Sequence, residues 1–247
     1  MVFEKLPRAF GVGGPGVNTV LDRARMRPGD QVTGQVHLDG GDIDADVEPI
    51  ALSLITWAEG GEVVEFHRAD VCGPFRLAAG ERRSIAFTFG VPWEAPLSGA
   101  DGPLVGVRAG EGDIDPLHVA PLPSQERVLD AFTRLGFTRA KAALEHGRVG
   151  GQHQELPFFA ELGFRPPPGH TGAAGEVGLA FVADRHHLAV VLAADGRRGA
   201  AGDFGRWIFP HETAIRTDWE GLVTDWLDEL PERFPRTLSG GPVPAGG

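Results

Sequence analysis

Polar and apolar residues alternate without a break along residues 31–39. A period of two is typical of a β-strand that packs on one side and meets solvent on the other. The turn-forming sequence Pro28-Gly29-Asp30 comes directly before this segment. The pattern therefore predicts a long strand that begins at a tight turn. The residues expected on its packed face are Val32, Gly34, Val36 and Leu38.

Further strand-like segments occupy most of the first half of the chain. Glycine-containing turn sequences separate them, and no helical period intervenes. Several short strands at this spacing predict a β-sandwich. The segments are 17–22, 31–39, 46–57, 62–67, 70–77, 84–91 and 104–109.

The period changes at residues 124–135, where apolar residues recur at helical spacing. Ser124 is expected to cap this helix and Gly136 to end it. Strand-like segments resume at 137–146, 152–165, 175–183 and 186–195. The fold class is therefore predicted to be mainly all-β, with two β-sandwich domains. The expected division is an N-terminal sandwich at 1–120, a linker helix at 121–136, a C-terminal sandwich with a terminal helix at 137–235, and a disordered tail at 236–247.

A second helix is predicted at 218–230, with Pro231 expected to stop it. Its apolar stripe includes Trp219 and Trp226, and acidic residues occupy the opposite face. Because the stripe is the only apolar face of this helix, packing on the domain core is the favoured interpretation. Docking of a partner on the two tryptophans is the alternative.

Composition narrows the possible partners and the compartment. The formal net charge is −11 and the pI is about 5.2, so a surface that follows nucleic-acid phosphates is not expected. With Cys72 as the single cysteine, no disulfide can form within the chain. No signal peptide and no apolar run long enough to span a bilayer is found. We therefore expect a cytoplasmic protein without a transmembrane segment.

Three places in the sequence could carry chemistry. The glycine-rich residues 11–16 lack the strand before and helix after that dinucleotide binding requires. On a strand, His186 and His187 would point to opposite faces and could not readily share a metal ion. Asp113 and Asp115 could form a carboxylate pair, but their glycine neighbours favour a turn between domains. No metal, cofactor or catalytic residue is therefore predicted.

The order and spacing of several short motifs carry a resemblance to a known family. The motifs are Gly11-Val12-Gly13-Gly14 before 17–22, Pro28-Gly29 before 32–36, residues 50–54, Asp113-Ile114-Asp115-Pro116, residues 128–137, and Gln154-Glu155 before 156–159. Across most of residues 1–165 the chain resembles the bacterial sporulation-control (SpoOM-type) family of arrestin-like proteins. This resemblance implies two arrestin-like β-sandwich domains and a regulatory, non-enzymatic role.

Three functional hypotheses follow. The first is a cytoplasmic adaptor that regulates development or cell-envelope processes through unknown protein partners, with homo-oligomerisation also possible. The second is a small-ligand or carbohydrate-binding β-sandwich, which would expose an aromatic residue such as Trp57 or Trp93. The third is an enzyme whose site is assembled from distant residues in a deep pocket. The residues expected at protein contacts are Trp57, Asp113, Asp115, Trp219 and Trp226.

Overall fold

The computed structural model describes residues 8–9, 15–58, 61–99, 102–110, 112, 114–149, 153–167, 175–194 and 204–233. The strands are β1 (Arg8–Ala9), β2 (Gly16–Leu21), β3 (Arg25–Met26), β4 (Gln31–Asp39), β5 (Ala45–Val47), β6 (Ile50–Trp57), β7 (Val63–Cys72), β8 (Phe75–Leu77), β9 (Arg82–Gly90), β10 (Val105–Ala109), β11 (Ile114–Val119), β12 (Thr138–His146), β13 (Phe158–Arg165), β14 (Val177–Ala183), β15 (His187–Ala194) and β16 (Phe204–Pro210). The helices are α1 (Pro123–Arg134), α2 (His211–Arg216) and α3 (Trp219–Arg233). The predicted mainly β fold is confirmed.

Two sheets pack face to face in the first half of the chain. One has the order β1-β2-β4-β9 and the other the order β3-β11-β10-β6-β7. The alternating segment predicted at 31–39 is β4, with Val32, Val36 and Leu38 at most 1% exposed. Since alternate residues of a strand point to opposite faces, this one register buries the apolar row of β4 between the sheets. The same core includes Leu52, Leu54, Phe87, Phe89, Val107 and Leu117.

The second half contains one five-stranded antiparallel sheet among the described residues, with the strands in chain order from β12 to β16. Leu188, Val190 and Leu192 of β15 are fully buried on one face of this sheet. Helices α1 and α3 pack their apolar residues into the same cluster. A second layer of strands was expected against this sheet. The layer that the structure describes there is formed by helices instead. The helical members of the cluster include Val128, Phe132, Trp219, Val223, Trp226 and Leu227.

The segment around Asp115 differs from its predicted form. Residues 114–119 form β11, and Asp115 lies opposite Val107 of β10, so the expected turn is wrong at this position. Pro116 is tolerated because β11 lies near a sheet edge, where its outer neighbour β3 pairs only with His118 and Val119. Asp113 and the predicted tail at 236–247 lie outside the described residues.

Two element boundaries also differ from expectation. Helix α1 begins with Pro123, and Leu122 occupies the N-cap position, so Ser124 is not the cap. Proline is favoured in the first helical turn because its missing N–H has no partner there. Helix α3 continues past Pro231 to Arg233, so Pro231 does not stop it. In the final turn few helical hydrogen bonds remain for a proline to disrupt.

Strand β16 and helix α2 were not predicted. Gly205, Arg206 and Pro210 interrupt the apolar pattern of β16, and the six residues of α2 are too few to show a helical period. Strand β16 forms because it completes the ladder of β15, pairing from His187 opposite Pro210 to Ala193 opposite Phe204. Long-range pairing therefore creates an element that local pattern does not show.

Candidate functional site at the joint between the two halves

Trp93 lies against the turn that precedes β4. Gly29 in this turn has φ +84°, and a Cβ atom there would lie 2.5 Å from the indole ring of Trp93. The Gly29 N–H donates to the carbonyl of Val91 (2.9 Å), and the Val91 N–H donates to the carbonyl of Asp30 (2.8 Å). Glycine is therefore required twice here, for the left-handed backbone and for the close approach of the ring.

The same turn reaches the helices of the second half. The ring of Trp93 lies 6.0 Å from the ring of His211, which begins α2, at an angle of 30°. The Arg27 guanidinium is 3.0 Å from the Glu126 carboxylate on α1, with both side chains about 40% exposed. These contacts connect the first sandwich to α1 and α2. We use "the joint" for the set Arg27, Gly29, Trp93, Glu94, Ser124, Glu126 and His211.

Ser124, which is buried, and His211, which is partly exposed, form a hydrogen-bonded pair in the joint. Ser124 Oγ is 2.8 Å from His211 Nδ1, and His211 Nε2 is 2.8 Å from the carbonyl oxygen of Asp184. A carbonyl oxygen only accepts, so Nε2 carries the proton and donates to Asp184. Nδ1 of the neutral ring then accepts from the Ser124 hydroxyl. One histidine thus connects α1, α2 and the turn between β14 and β15.

A hydroxyl beside an imidazole is also the arrangement of a nucleophile and its base. Two features oppose that role here. Ser124 is only 1% exposed, so a substrate could not reach its hydroxyl. The group that orients the ring is a backbone carbonyl, which cannot stabilise an imidazolium as a carboxylate does. The pair is therefore suited to connecting elements rather than to turnover.

Replacing Ser124 by alanine is expected to destabilise the fold by about 1–3 kcal/mol, because Nδ1 of His211 is left without its donor in a partly buried setting. The matched control is Ser84→Ala. Ser84 Oγ is also 2.8 Å from a histidine Nδ1, that of His37, but this pair is exposed, so the control should cost less than about 0.5 kcal/mol. Urea unfolding of both variants measures the difference. If both variants lost the same free energy of unfolding, burial of the Ser124 hydroxyl would not explain the effect.

Glu94 contacts the second half through its carboxylate. The backbone N–H of Glu155 donates to Oε1 (2.8 Å) and Oε2 (3.0 Å), and that of Leu156 donates to Oε2 (2.8 Å). Partial burial raises the pKa of Glu94 above its usual value, and the neighbouring Glu155 carboxylate adds to this. The two N–H groups and His153 act in the opposite direction but do not outweigh burial.

The raised pKa of Glu94 gives the stability a pH dependence of known sign. A carboxyl group with a higher pKa in the folded state stabilises the fold below its unfolded pKa, and this contribution is lost as pH rises through the folded pKa. As the pH rises above 4.5, the usual pKa of a glutamate, the wild type should therefore lose this contribution, whereas Glu94→Gln should not. Chemical unfolding from pH 4 to pH 8 tests this. Parallel pH profiles of the two proteins would contradict it.

A small cavity lies beside Glu94. Its volume is about 20 Å³, enough for roughly one water molecule. Small-molecule ligands usually occupy about 300–1,000 Å³, so this cavity offers no room for one. Its lining includes Trp93, Glu94, Leu97, Gln125, Leu162 and Phe181.

The residues predicted at protein contacts are dispersed and do not form one site. Trp57 ends β6 and is partly exposed, and Asp115 is partly exposed on β11. Trp219 and Trp226 are 2% and 4% exposed, as the core-facing interpretation expected. Asp113 is outside the described residues. Whether any of these residues contacts a partner stays a prediction.

Most of the joint was not predicted. Residues 28–30 were expected to form a turn, but nothing in the local pattern connects that turn to Trp93, Glu94 or His211. The available signals were the glycine in the turn and the paired tryptophan and glutamate after β9. Neither signal indicates which distant residue will be contacted. Glu94, for example, accepts from the backbone of Glu155, 61 positions away.

Searches for other kinds of site gave two findings. Among the described residues, no group of three or more metal-binding side chains comes together. Of the helices that the structure describes, none has the length and apolar character needed to span a bilayer.

These features define a class of mainly β protein with several sheets, in which polar contacts at the joint connect the two halves. The chain belongs to the SpoOM protein family, which it matches over residues 3–199. It is 28% identical over 252 residues to the sporulation-control protein spo0M of Bacillus subtilis (strain 168), across 96% of this chain and 97% of that protein. The crystal structure of Spo0M from Bacillus subtilis aligns with a TM-score of 0.75 at 26% identity, covering 89% of this chain and 100% of that chain.

Proposed function

We propose that this protein is a non-enzymatic cytoplasmic adaptor that regulates development or cell-envelope processes through contacts with other proteins. Membership of a family named for sporulation control supports a regulatory role. The observation that carries the proposal is the joint. Ser124 is buried and its hydroxyl contacts the partly exposed His211, and the Glu94 carboxylate is occupied by backbone N–H groups. The contacts of Glu94 and the Arg27–Glu126 ion pair connect the two halves, whereas the serine–histidine pair connects elements of the second half. These polar groups are engaged in structural contacts and leave little for catalysis.

The domain division is part of the same proposal. We take residues 1–120 as an arrestin-like sandwich, 121–136 as the linker helix and 137–235 as the second domain. Two large apolar clusters support this division: the buried members of the first lie in residues 1–120 except for Leu156 and Phe158, and those of the second begin at Leu122. In this arrangement the joint sets the relative orientation of two surfaces that could be presented to one partner.

The surface chemistry indicates what such a partner would carry. With a net charge of −11, the protein favours partners with basic or mixed surfaces. Acidic side chains are exposed in both halves, at Asp42 and Glu48 in the first and at Asp225 and Asp228 on α3 in the second. Association through exposed charges should weaken with salt, because screening shortens the electrostatic range from about 10 Å at 0.1 M to about 3 Å at 1 M.

The second candidate, a carbohydrate or small-ligand module, has less support. It requires an accessible aromatic residue on a sheet. Trp93 instead lies between Gly29 and His211. Trp57 remains partly exposed and is the residue on which this candidate depends.

Proximity labelling in the native cell, together with a broad activity screen of the full chain, tests the adaptor proposal. We expect a reproducible protein neighbour, captured less well at high salt. Two double variants with equal charge change, Asp42→Asn with Glu48→Gln and Asp225→Asn with Asp228→Asn, compare the two halves. The variant in the contacting half should reduce capture, and the other serves as its control.

Turnover that survives repurification, without an enriched neighbour, would overturn the adaptor proposal. A neighbour whose capture depends on neither salt nor either double variant would overturn the role of the acidic surface.

A further inference from the structure

Strand β9 is the outermost strand of the four-stranded sheet. All nine of its residues pair with β4 in one continuous register, from Arg82 opposite Asp39 to Gly90 opposite Gln31. In the part of the chain that the structure describes, no strand pairs with the other side of β9. Strand β7 of the facing sheet comes near β9, where the rings of His67 and Phe89 lie 5.8 Å apart, but among the described residues it forms no ladder with β9. The outer edge of β9 therefore presents a row of backbone donors and acceptors that no described strand pairs with.

The other sheet edges carry features that discourage pairing with a further strand. Strands β1, β3, β5 and β8 have only two or three residues. Strand β7 has two register shifts against β6, strand β12 has one against β13, and strand β16 ends in Pro210. Short length, irregularity and proline are the usual protections of an edge. Strand β9 has none of them.

The charges of β9 are confined to one end. Arg82 lies 3.1 Å from Asp39, and Arg83 lies 2.7 Å from Glu81, so both guanidiniums are already paired. The remaining residues, from Ser84 to Gly90, carry no charge. Ser84, Ala86 and Thr88 are exposed on the outer face. A partner strand would therefore meet an uncharged edge over most of its length.

We propose that two copies of this chain associate through antiparallel pairing of their β9 strands, with the two-fold axis at Ala86. The two four-stranded sheets would then form one continuous sheet across the dimer. In this register Ser84 lies opposite Thr88 of the second copy, and Ile85 lies opposite Phe87 of the second copy. Arg82 and Arg83 lie opposite Gly90 and Phe89 of the second copy.

The sequence of β9 is complementary to itself in this register. A serine opposite a threonine and an isoleucine opposite a phenylalanine are both favourable cross-strand pairs. The arginines of the two copies lie at opposite ends of the pairing. Moving the two-fold axis towards Arg83 would bring the four guanidiniums together, so charge repulsion selects the register centred on Ala86. Because the strand is complementary to itself in this register, a second copy of the chain is the favoured partner for the edge of β9.

Cysteine cross-linking tests both the partner and the register. In a Cys72→Ser background, Ala86→Cys places two thiols opposite each other across the axis, within reach of a disulfide. The matched control is Ser84→Cys, on the same exposed face. Its two thiols would be separated by four residues along the strands, about 14 Å, too far for a disulfide. Mixing Ser84→Cys with Thr88→Cys should restore the cross-link.

Under mild oxidation of the full chain, we expect a reducible dimer from Ala86→Cys and from the mixture, but not from Ser84→Cys alone. Ala86→Glu provides an independent measurement, since it places two like charges opposite each other in the dimer but is exposed in the monomer. Sedimentation analysis should show its dimer dissociation constant raised by roughly tenfold or more, with an unchanged circular dichroism spectrum.

Three outcomes would overturn the proposed dimer. These are a wild type that stays monomeric at all concentrations, equal cross-linking by Ala86→Cys and Ser84→Cys, and an Ala86→Glu variant that dimerises as the wild type does. If the wild type stays monomeric and binds a strand of another protein at β9, the proposed dimer is likewise overturned. None of these results bears on whether the protein acts as an adaptor, which the proximity experiment tests separately.

Discussion

Replacing Trp226 by alanine is expected to lower the free energy of unfolding by about 3–5 kcal/mol, the usual cost of truncating a large buried aromatic residue. Trp226 is 4% exposed and belongs to the cluster between α3 and the second sheet. Its ring lies close to Gly205 of β16, so removing the ring opens a cavity between helix and strand. Equilibrium unfolding in urea measures the loss.

Trp226→Phe is the control for this prediction. The indole N–H of Trp226 is buried and has no hydrogen-bond partner among the described residues, so phenylalanine removes no hydrogen bond seen there and keeps most of the apolar contact. We expect it to retain more than half of the stability that alanine loses. If Trp226→Ala instead keeps wild-type stability but no longer binds a partner, α3 is a docking element and the core interpretation fails.

Replacing Gly29 by alanine is expected to destabilise the protein by about 2–5 kcal/mol, through two separate effects. A left-handed backbone costs a non-glycine residue roughly 1–2 kcal/mol, and the added Cβ would collide with Trp93, 2.5 Å away. Forcing an atom into a filled space typically adds about 1–3 kcal/mol. The substitution should also displace Trp93 from the joint.

Gly80→Ala separates these two effects. Gly80 also has a positive φ, +68°, but nothing lies within 4 Å of the position of its Cβ. This control should cost only the backbone term, about 1–2 kcal/mol. If the collision matters, Gly29→Ala should cost less in a Trp93→Ala background than in the wild type, as expected for residues in contact. Equal costs in both backgrounds would contradict the role of Trp93.

The contacts of the joint affect how the two halves are placed relative to each other. Each of its contacts joins residues that are distant along the chain, such as Arg27 with Glu126 and Ser124 with His211. Substitutions in the joint should therefore change the relative placement of the halves without disturbing the core of either half. Variants of Ser124 and Glu94 are accordingly useful for asking whether partner capture depends on that placement.

The local pattern of the sequence determined those elements in which side-chain period and backbone geometry agree. The alternation at 31–39 specified β4 because a strand has a period of two, and one face was continuously apolar. The apolar stripe of 218–230 likewise specified a helix and its buried face, since Trp219, Val223 and Trp226 recur at helical spacing. Both inferences depend only on neighbours within a few residues.

The tertiary structure alone decided what depends on distant partners. Asp115 entered a strand because β10 supplied a ladder opposite it, although its glycine neighbours indicated a turn. Ser124 was expected to cap a helix, but its hydroxyl contacts His211, 87 positions away. The sequence contains the groups that meet at the joint, but it does not state which of them will meet. Packing of the two halves brings these groups together, and local periodicity carries no information about contacts across such separations.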